Sequence, residues 1–426
     1  MHRKRLLSLL LAALMIISSV AFSTVYAADE SIFTGKKLTG DDIFGVRAAI
    51  KALADSVKDT AYKKNDRVVV IIELEDDPLL DIAKGADISD FTATSKGKAA
   101  YNALVGSHNN VKAAVKAAVP NVSFGNSYDY TTVINGFSAV VDYGSIAKIA
   151  KLDGVKNVFV SGTYALPETK TVKSSSMVTG ADMIGAQIAN KLGYTGKGIV
   201  VAVLDSGIDY THEAFSQAPS DMRYIDSARE MNIKIKNIAG TLNSGSDGKA
   251  LSDKIIFAYD YADGDPDVYP VDSHGTHVAG IIAGNNGDDF FGIAPEAQIM
   301  AMKVFSDEDD GAATTDILAA LEDAIILGAD VINMSLSSPS GFTSSSVKAI
   351  NDVYNRIEEA GIVLCTSAGN QYYQGFYLNN YDLPFANTPD YGVVGEPSSY
   401  NAALSVASVE AEIIKDLYLE VGGDRF

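Results

Sequence analysis

Unbroken apolar runs mark short buried strands in the second half of the chain. The clearest run is Ile199–Leu204, and Asp205 follows it directly. A segment that is apolar at every position, with no alternation, is typical of a parallel strand covered on both faces. Further apolar runs occupy residues 299–304, 331–334 and 362–366. Together these runs predict a parallel sheet.

Helical patterns separate these strands. Residues 314–327 begin at Thr314, a residue type that caps helix N-termini, and residues 347–360 repeat the arrangement. One face of the first helix carries Ile317, Leu318, Leu321 and Ile325. Alternating strands and helices predict an α/β domain over residues 177–426, with right-handed crossovers and helices on both faces of the sheet.

The first half of the chain shows a different order of elements. Its patterns predict strands at 68–74, 122–132, 136–141 and 155–160, and helices at 96–118 and 145–152. The order β-α-β-β-α-β is that of the ferredoxin-like split βαβ motif. We therefore predict a separate α+β domain over residues 67–162.

Three stretches lack such regular patterns. Residues 28–66 are polar with one amphipathic helical segment, and we interpret them as a lead-in. Residues 163–176 contain Thr, Lys, Ser and Pro and indicate an exposed linker, within which proteolytic processing is a hypothesis. Residues 210–272 are rich in Asp, Gly and Ser, and we predict that they form surface excursions.

Composition and the N-terminus indicate an exported protein. The 426 residues carry a net charge of −20, which argues against nucleic-acid binding. Residues 1–27 combine a basic start, an apolar run and a small-residue end at Ala27, as in a secretory signal peptide. We predict a secreted or cell-envelope protein with no transmembrane segment after signal cleavage; the alternative is an uncleaved N-terminal anchor. The single cysteine, Cys365, excludes an internal disulfide and favours a bacterial source.

Asp205 and His274 carry the candidate chemistry. Asp205 ends a predicted parallel strand, where open α/β sheets place their sites. His274 lies at a predicted helix start, because Val278 and Ile282 follow it at helical spacing. A carboxylate can orient an imidazole that takes the proton of a serine hydroxyl. The pair therefore supplies two members of a charge-relay system.

The segments around these residues resemble known boxes. VAVLDSGID (201–209) and HGTHVAG (274–280) resemble the Asp and His boxes of the subtilisin-like serine peptidases, or subtilases. DILAALEDAIILGADVINMSL (316–336) resembles the lactocepin-like cell-envelope branch. INGFSAVVDYGSIAKIAKLDGVKNVFV (134–160) resembles the inhibitor-type propeptide of that family, which assists folding and plugs the cleft. The resemblance implies a subtilisin-like fold, a polypeptide substrate, the chain's own propeptide in the cleft, and no organic cofactor.

Two further sites follow from the resemblance. TSAGN (366–370) resembles the oxyanion-hole box, which implies that the Asn370 amide stabilises the oxyanion; a turn-forming asparagine is the alternative. Ser335, Leu336 and Ser337 match the segment that pairs with an extended substrate by strand addition; an ordinary loop is the alternative. The family usually has glycine where this chain has Ser337, so a side chain there is expected to narrow the groove.

Other polar residues have simpler explanations. His277 is expected to be packed and hydrogen-bonded, and the His274/His277 pair lacks the His-Glu-x-x-His spacing of zinc peptidases. Cys365 is expected to be a buried small residue rather than a nucleophile. The acidic run Asp307–Asp310 is either a structural Ca²⁺ site, which the family often has, or a solvated loop. No metal is assigned.

The nucleophile of the family is missing from the sequence. Its box reads Gly-Thr-Ser, which occurs nowhere in the 426 residues. We therefore expect an inactive N-terminal portion of a secreted serine endopeptidase that is made as a zymogen, with a sheet incomplete at its C-terminus. We also expect an exposed apolar face and poor autonomous stability over residues 177–426. The alternative is a catalytically dead homologue that binds peptides or a peptidase.

Overall fold

Two packed domains make up the part of the chain that the structure describes. The computed structural model describes residues 62–125, 127–165, 180–181, 183–223, 227–308, 311–338, 345–370, 394–408, 420–421 and 424–425. The predicted signal peptide and most of the lead-in lie outside these residues, as does most of the predicted linker. Over the described residues, every helix is too short or too polar to traverse a lipid bilayer.

The N-terminal domain has the predicted α+β order. Its strands are β1 (Arg67–Leu74), β2 (Asp129–Tyr130), β3 (Gly136–Asp142) and β4 (Val155–Val160). They form an antiparallel sheet in the order β2-β3-β1-β4. Its helices are α1 (Leu79–Ala83), α2 (Ile88–Ala93), α3 (Ser95–Ala118) and α4 (Ile146–Ile149). Val111 and Val115 of α3 join Ile72 and Phe137 of the sheet in one buried cluster.

One local prediction for this domain is wrong, and two short helices were missed. The strand predicted at 122–132 is confined to β2, with one isolated bridge between Ser123 and Val140. Helices α1 and α2 were not predicted, because each has only a turn or so of residues and a weak period. Leu79, Leu80, Ile88 and Phe91 nevertheless lie buried with residues of the second domain. These short helices therefore belong to the contact between the domains.

The second domain contains the predicted parallel sheet. Its strands are β6 (Val200–Asp205), β7 (Ile255–Asp260), β8 (Gln298–Lys303), β10 (Val331–Met334), β11 (Val363–Ser367) and β12 (Leu404–Val406). All five neighbouring pairs are parallel, in the order β12-β11-β10-β6-β8-β7. Every residue of β6 is buried, as its unbroken apolar run predicts. Because β6 is an inner strand, its carboxyl end lies near the middle of the row formed by the carboxyl ends of the parallel strands.

Residues 210–272 are not surface excursions, contrary to the prediction. They contain the helix α6 (Ser227–Ile238) and the edge strand β7, which is buried at every position. Met231 and Ile235 of α6 lie in the same buried cluster as Phe257 of β7. The many Asp, Gly and Ser residues of this stretch lie mainly in its turns, which hid the short apolar run Ile255–Ala258.

The remaining helices pack around this sheet. They are α5 (Ala186–Lys191), α7 (His274–Ala283), α8 (Thr314–Leu327) and α9 (Ser345–Glu359). Helix α8 begins where predicted, but its N-cap is Ala313 without a side-chain bond, so the expected Thr314 cap is wrong. It is also buried almost all round rather than on one face, because the N-terminal domain covers its outer side.

Helix α8 binds the N-terminal domain through one carboxylate. The buried Glu322 side chain accepts backbone N–H groups of residues 131–133, at 2.9, 2.7 and 2.8 Å. On α9, Arg356 Nε donates to Asp81 Oδ2 at 2.8 Å, and another guanidinium nitrogen donates to the Val133 carbonyl at 3.1 Å. Both domains thus share a polar as well as an apolar interface.

One face of the sheet is partly uncovered, as predicted. Strand β12 lies at the sheet edge, where Leu404 and Val406 are 56% and 54% exposed, and Val363 on β11 is 48% exposed. Strand β12 is therefore an exposed edge strand. The predicted low autonomous stability of residues 177–426 stays a prediction.

Candidate active site

Asp205 is the last residue of β6. Its strand lies between β10 and β8, and its Cα is paired with that of Lys303. The side chain is 1% exposed, and its Oδ1 atom accepts the Ser206 backbone N–H at 2.7 Å. The strand therefore delivers a buried, oriented carboxylate to the edge of the sheet.

His274 is the first residue of α7 and contacts Asp205 directly. Its Nδ1 lies 2.7 Å from Asp205 Oδ1, and the imidazole is 7% exposed. A carboxylate at Nδ1 places the proton on that nitrogen and leaves Nε2 free to accept one. The structure thus brings together the two residues that the sequence singled out.

The environment of His274 favours its protonated form. Burial acts to lower the pKa of the imidazole, but the hydrogen bond and negative charge of Asp205, with a smaller contribution from Asp272, outweigh it. The pKa of His274 is therefore raised above 6.5. An imidazole with this property is a suitable proton acceptor at neutral to alkaline pH.

Ser206 holds the helix start against the strand end. Its hydroxyl donates to the Asp272 carbonyl at 2.9 Å and accepts the Gly275 N–H at 2.9 Å. Asp272 Oδ1 accepts the His274 N–H at 2.7 Å. These contacts fix the backbone that carries the imidazole. Sequence reasoning missed them, because Ser206 is far in the sequence from Asp272 and Gly275.

Gly275 is required by the close approach of α7 to the turn after β6. A Cβ atom at this position would lie 2.2 Å from the Gly207 carbonyl oxygen and 3.1 Å from Asp205 Oδ1. Gly207 itself has φ +99°, which favours glycine. The two glycines therefore allow the aspartate and histidine segments to touch.

The other predicted site residues lie at the same edge of the sheet. Ser335 follows β10, and Asn370 follows β11 and is exposed. Because carboxyl ends of parallel strands meet at one edge, these residues and Asp205 line the same side. Asn333 Nδ2 donates to Ser335 Oγ at 3.1 Å, and Ser367 Oγ donates to the Leu336 carbonyl at 3.1 Å.

A segment that follows the N-terminal domain already lies at this edge as a strand. Strand β5 (Thr163–Tyr164) pairs antiparallel with β9 (Ala312–Ala313) on one side. On the other side, the Ala165 N–H donates to the Ser337 carbonyl at 3.0 Å, and the Ser337 N–H donates to the Ala165 carbonyl at 3.2 Å. Sequence reasoning missed β9, because two alanines carry no strand signal.

Ser337 does more than pair with this segment. Its side chain is 5% exposed and packs against Gly395, where an added Cβ would lie 3.3 Å from the Ser337 Cβ. The Ser337 side chain therefore lies beside Gly395, and the expectation that it narrows the groove stays a prediction.

The structure also describes three other residues that the sequence analysis considered: His277, Cys365 and Asp307. His277 is exposed, so the expectation that it is packed is wrong. Burial raises the pKa of the Cys365 thiol, which is the opposite of what a nucleophilic cysteine needs. From the acidic run, Asp307 forms an ion pair at 2.8 Å with the buried Lys303 ammonium, which also contacts Asp260 and Asp263.

Lys303 thus supplies the positive charge among these three carboxylates. Among the residues that the structure describes, His, Cys, Asp and Glu side chains form no group suited to hold a metal ion. Asp309 and Asp310, the end of the acidic run, lie outside the described residues.

Comparison with known proteins identifies the family. The family model described as "Subtilase family" matches residues 196–415, about half of the chain, which include Asp205, His274 and the whole parallel sheet. The chain is a subtilase. A second model, "Peptidase inhibitor I9", matches residues 69–167, which include the N-terminal domain and β5. The resemblances to the subtilases and to their inhibitor-type propeptide are therefore confirmed.

Relatives of this subtilase are much longer proteins. It is 32% identical to a PI-type proteinase of Lactococcus lactis subsp. cremoris over 80% of its own length and 17% of the relative's. It is 33% identical to a C5a peptidase of Streptococcus pyogenes over 50% of its length and 18% of the relative's. Among solved structures, the epidermin leader peptide processing serine protease of Staphylococcus aureus matches with a TM-score of 0.48 at 14% identity, covering 81% of this chain and 70% of that one.

Proposed function

We propose that this subtilase is an exported serine endopeptidase made as a zymogen, in which Asp205 orients His274 and His274 acts as general base and then general acid. The observation that carries the proposal is the 2.7 Å contact between Asp205 and His274 at the carboxyl edge of the sheet. Asn370 is assigned as a donor to the oxyanion, because an amide at this edge can stabilise charge that develops on the substrate carbonyl.

The substrate is proposed to be an extended polypeptide. Backbone groups of Ala312 and Ser337 already pair with a strand of the chain itself. A substrate in the same place would gain the same main-chain hydrogen bonds, which bind peptides largely independently of sequence. The segment around β5 would then act as the inhibitory plug until it is cleaved and released. Export by residues 1–27 belongs to the same proposal.

The test compares variants of the product of the open reading frame that contains these residues. We expect Asp205→Asn to lower kcat by about 10⁴-fold, because the amide holds the wrong tautomer of the imidazole. His274→Ala should do the same or more, whereas His277→Ala, a matched histidine on the exposed side of α7, should leave kcat unchanged. Full activity of His274→Ala would overturn the assignment.

The pH profile provides an independent readout. Since the hydrogen bond and charge of Asp205 outweigh burial and leave the pKa of His274 raised above 6.5, kcat/KM should rise with pH through a limb that lies above that value. A limb below pH 6 would contradict the role of Asp205.

A second function is favoured by one observation, the absence of Gly-Thr-Ser from the 426 residues. A chain with Asp205 and His274 but no attacking hydroxyl would bind peptides without cleaving them. Fluorophosphonate labelling separates the two: the 426 residues alone should not be labelled, whereas the product of the whole reading frame should be, in a manner that requires His274. Absence of labelling in both would favour the binding protein.

A further inference from the structure

A histidine of the N-terminal domain is buried with a polar partner at each ring nitrogen. His108 lies on α3, and its side chain is 2% exposed. Its Nδ1 lies 3.0 Å from Asp129 Oδ1 on β2, and its Nε2 lies 2.8 Å from Asn135 Oδ1 in the segment between β2 and β3. Because the ring is closed off from water, its protons have to match these two neighbours.

Both neighbours of His108 are acceptors. Asn135 Nδ2 donates to the Asp76 carbonyl at 2.9 Å, which orients the amide with its oxygen toward the imidazole. Lys112 Nζ donates to the second oxygen of Asp129 at 2.6 Å. Partial burial acts to raise the pKa of Asp129, but the hydrogen bonds and charges of His108 and Lys112 outweigh it and lower this pKa. Asp129 is therefore a carboxylate, which can only accept.

Two acceptors require a proton on each ring nitrogen, and only the imidazolium has both. A neutral ring would point one lone pair at the oxygen of Asp129 or of Asn135. Turning the Asn135 amide would relieve the second clash, but it would set the amide oxygen against the Asp76 carbonyl. Because a buried polar group without its partner is costly, the folded domain favours the charged form of His108.

The segment that His108 holds is also a contact to the second domain. Residues 131–133 lie between Asp129 and Asn135 and donate three backbone N–H groups to Glu322. The carbonyl of the last of them accepts from the Arg356 guanidinium. His108 therefore bonds a residue just before and a residue just after the three that bind the second domain.

Other ionisable groups also lie around this segment. Lys112 lies one turn from His108 on α3, and Tyr101 on the same helix donates its phenol hydrogen to the Gly240 carbonyl of the second domain. Glu322 lies on α8, beyond residues 131–133, and burial raises its pKa to about 8. Because Glu322 titrates as well, an experiment on His108 has to compare variants that share the same Glu322.

We propose that His108 makes the contact between the two domains sensitive to pH: its charged form holds residues 129–135 in place, and loss of its proton as pH rises loosens them from Glu322 and Arg356. The sign follows from linkage, since a charged form that stabilises the fold contributes at low pH and is lost as pH rises. The contact is made in the uncleaved chain, so it is independent of the proposed peptidase activity.

NMR of the 426-residue chain labelled with ¹⁵N-histidine tests the charge of His108. The chain has five histidines, and His108→Gln identifies the His108 signals by their loss. At pH 6 both ring nitrogens of His108 should carry a proton. In Asp129→Asn, whose amide can donate to Nδ1, a single proton on Nε2 should satisfy the ring. A singly protonated His108 in the wild-type chain at pH 6 would overturn the assignment.

Hydrogen exchange of residues 131–133 tests the effect on the domain contact. After correction for the intrinsic pH dependence of exchange, protection in the wild-type chain should fall by about 10-fold or more from pH 6 to pH 8, the scale of one hydrogen bond to a charged group. In Asp129→Asn the fall should be less than half as large on a logarithmic scale. An equal fall in the two proteins would refute the role of His108.

Two further variants serve as controls. His277→Gln changes an exposed histidine on α7 and should leave the fall in protection as in the wild-type chain. Lys112→Gln removes the lysine that Asp129 loses in Asp129→Asn, but it keeps both partners of His108, so the fall should persist. Loss of the fall in Lys112→Gln would assign the pH dependence to the Lys112–Asp129 pair and contradict the proposal.

Discussion

At the scale of single residues, the site depends on glycine as much as on the two ionisable groups. Gly275→Ala places a methyl group 2.2 Å from the Gly207 carbonyl, so α7 must move away from β6. We expect loss of the Asp205–His274 contact and a fall in unfolding free energy of about 2 kcal/mol or more, as in other overpacked positions. Chemical denaturation would measure the fall, and the histidine NMR signals would report the contact.

Gly280→Ala on the same helix is the matched control. The nearest atom to a Cβ there is in the Phe290 ring at 3.8 Å, an ordinary contact. Because alanine favours helix more than glycine, this variant should be neutral or more stable by up to about 1 kcal/mol. Similar behaviour of the two variants would contradict the argument from close approach.

Local sequence predicted correctly that Asp205 ends a strand and that His274 begins a helix, because an apolar run precedes the first residue and a helical period follows the second. The residues that hold them together were harder to find. Ser206 contacts Asp272 and Gly275, which are 66 and 69 residues away in sequence, so no local pattern connects them.

At the scale of elements, α8 joins the two domains through Glu322. Its carboxylate accepts three backbone N–H groups from residues 131–133. Glu322→Ala leaves these donors buried without partners, and the cost should be about 3 kcal/mol in unfolding free energy. Urea denaturation measures it, with Glu358→Ala, an exposed glutamate on α9, as the control that should change stability by less than about 0.5 kcal/mol.

The sequence of α8 predicted its position but not its surroundings. An apolar stripe with Ile317 and Leu321 indicates one buried face, and the structure buries the opposite face as well. Glu322 and Asp323 are polar residues outside that stripe, yet contacts to segments distant in sequence bury both almost fully. Strand β7 was missed for a related reason, since its neighbour in the sheet comes later in the chain.

At the scale of the whole molecule, several buried carboxyl groups make stability depend on pH. Burial raises the pKa of Glu322 to about 8, against the effect of its three N–H donors. Burial likewise raises the pKa of Asp316 to about 7 and that of Asp323 to about 6. At a pH between the usual pKa of each group and its raised pKa, the folded protein retains a proton that the unfolded chain has released. Stability therefore falls as pH rises from about 5 to 8.

The raised pKa of His274 has the same sign, because the stability that its charged form contributes is lost as pH rises through the raised value. Thermal unfolding of the 426-residue chain at intervals from pH 5 to 8 should show a steadily decreasing Tm. Glu322→Gln, which cannot ionise, should make the upper part of this dependence shallower. A Tm that increases over this range would refute the assignment of protons to these groups.

The position of β5 has one more consequence, which concerns concentration. A strand carried on the same chain as its cleft meets it at an effective local concentration in the millimolar range, however dilute the protein is. Dilution should therefore not release β5 from the cleft while the chain is uncleaved. Once a peptide bond between the domains is hydrolysed, β5 and the cleft belong to two separate chains, and their association becomes a bimolecular equilibrium. Dissociation of β5 from the cleft then depends on the protein concentration. We expect the N-terminal domain of cleaved molecules to dissociate more completely at low protein concentration.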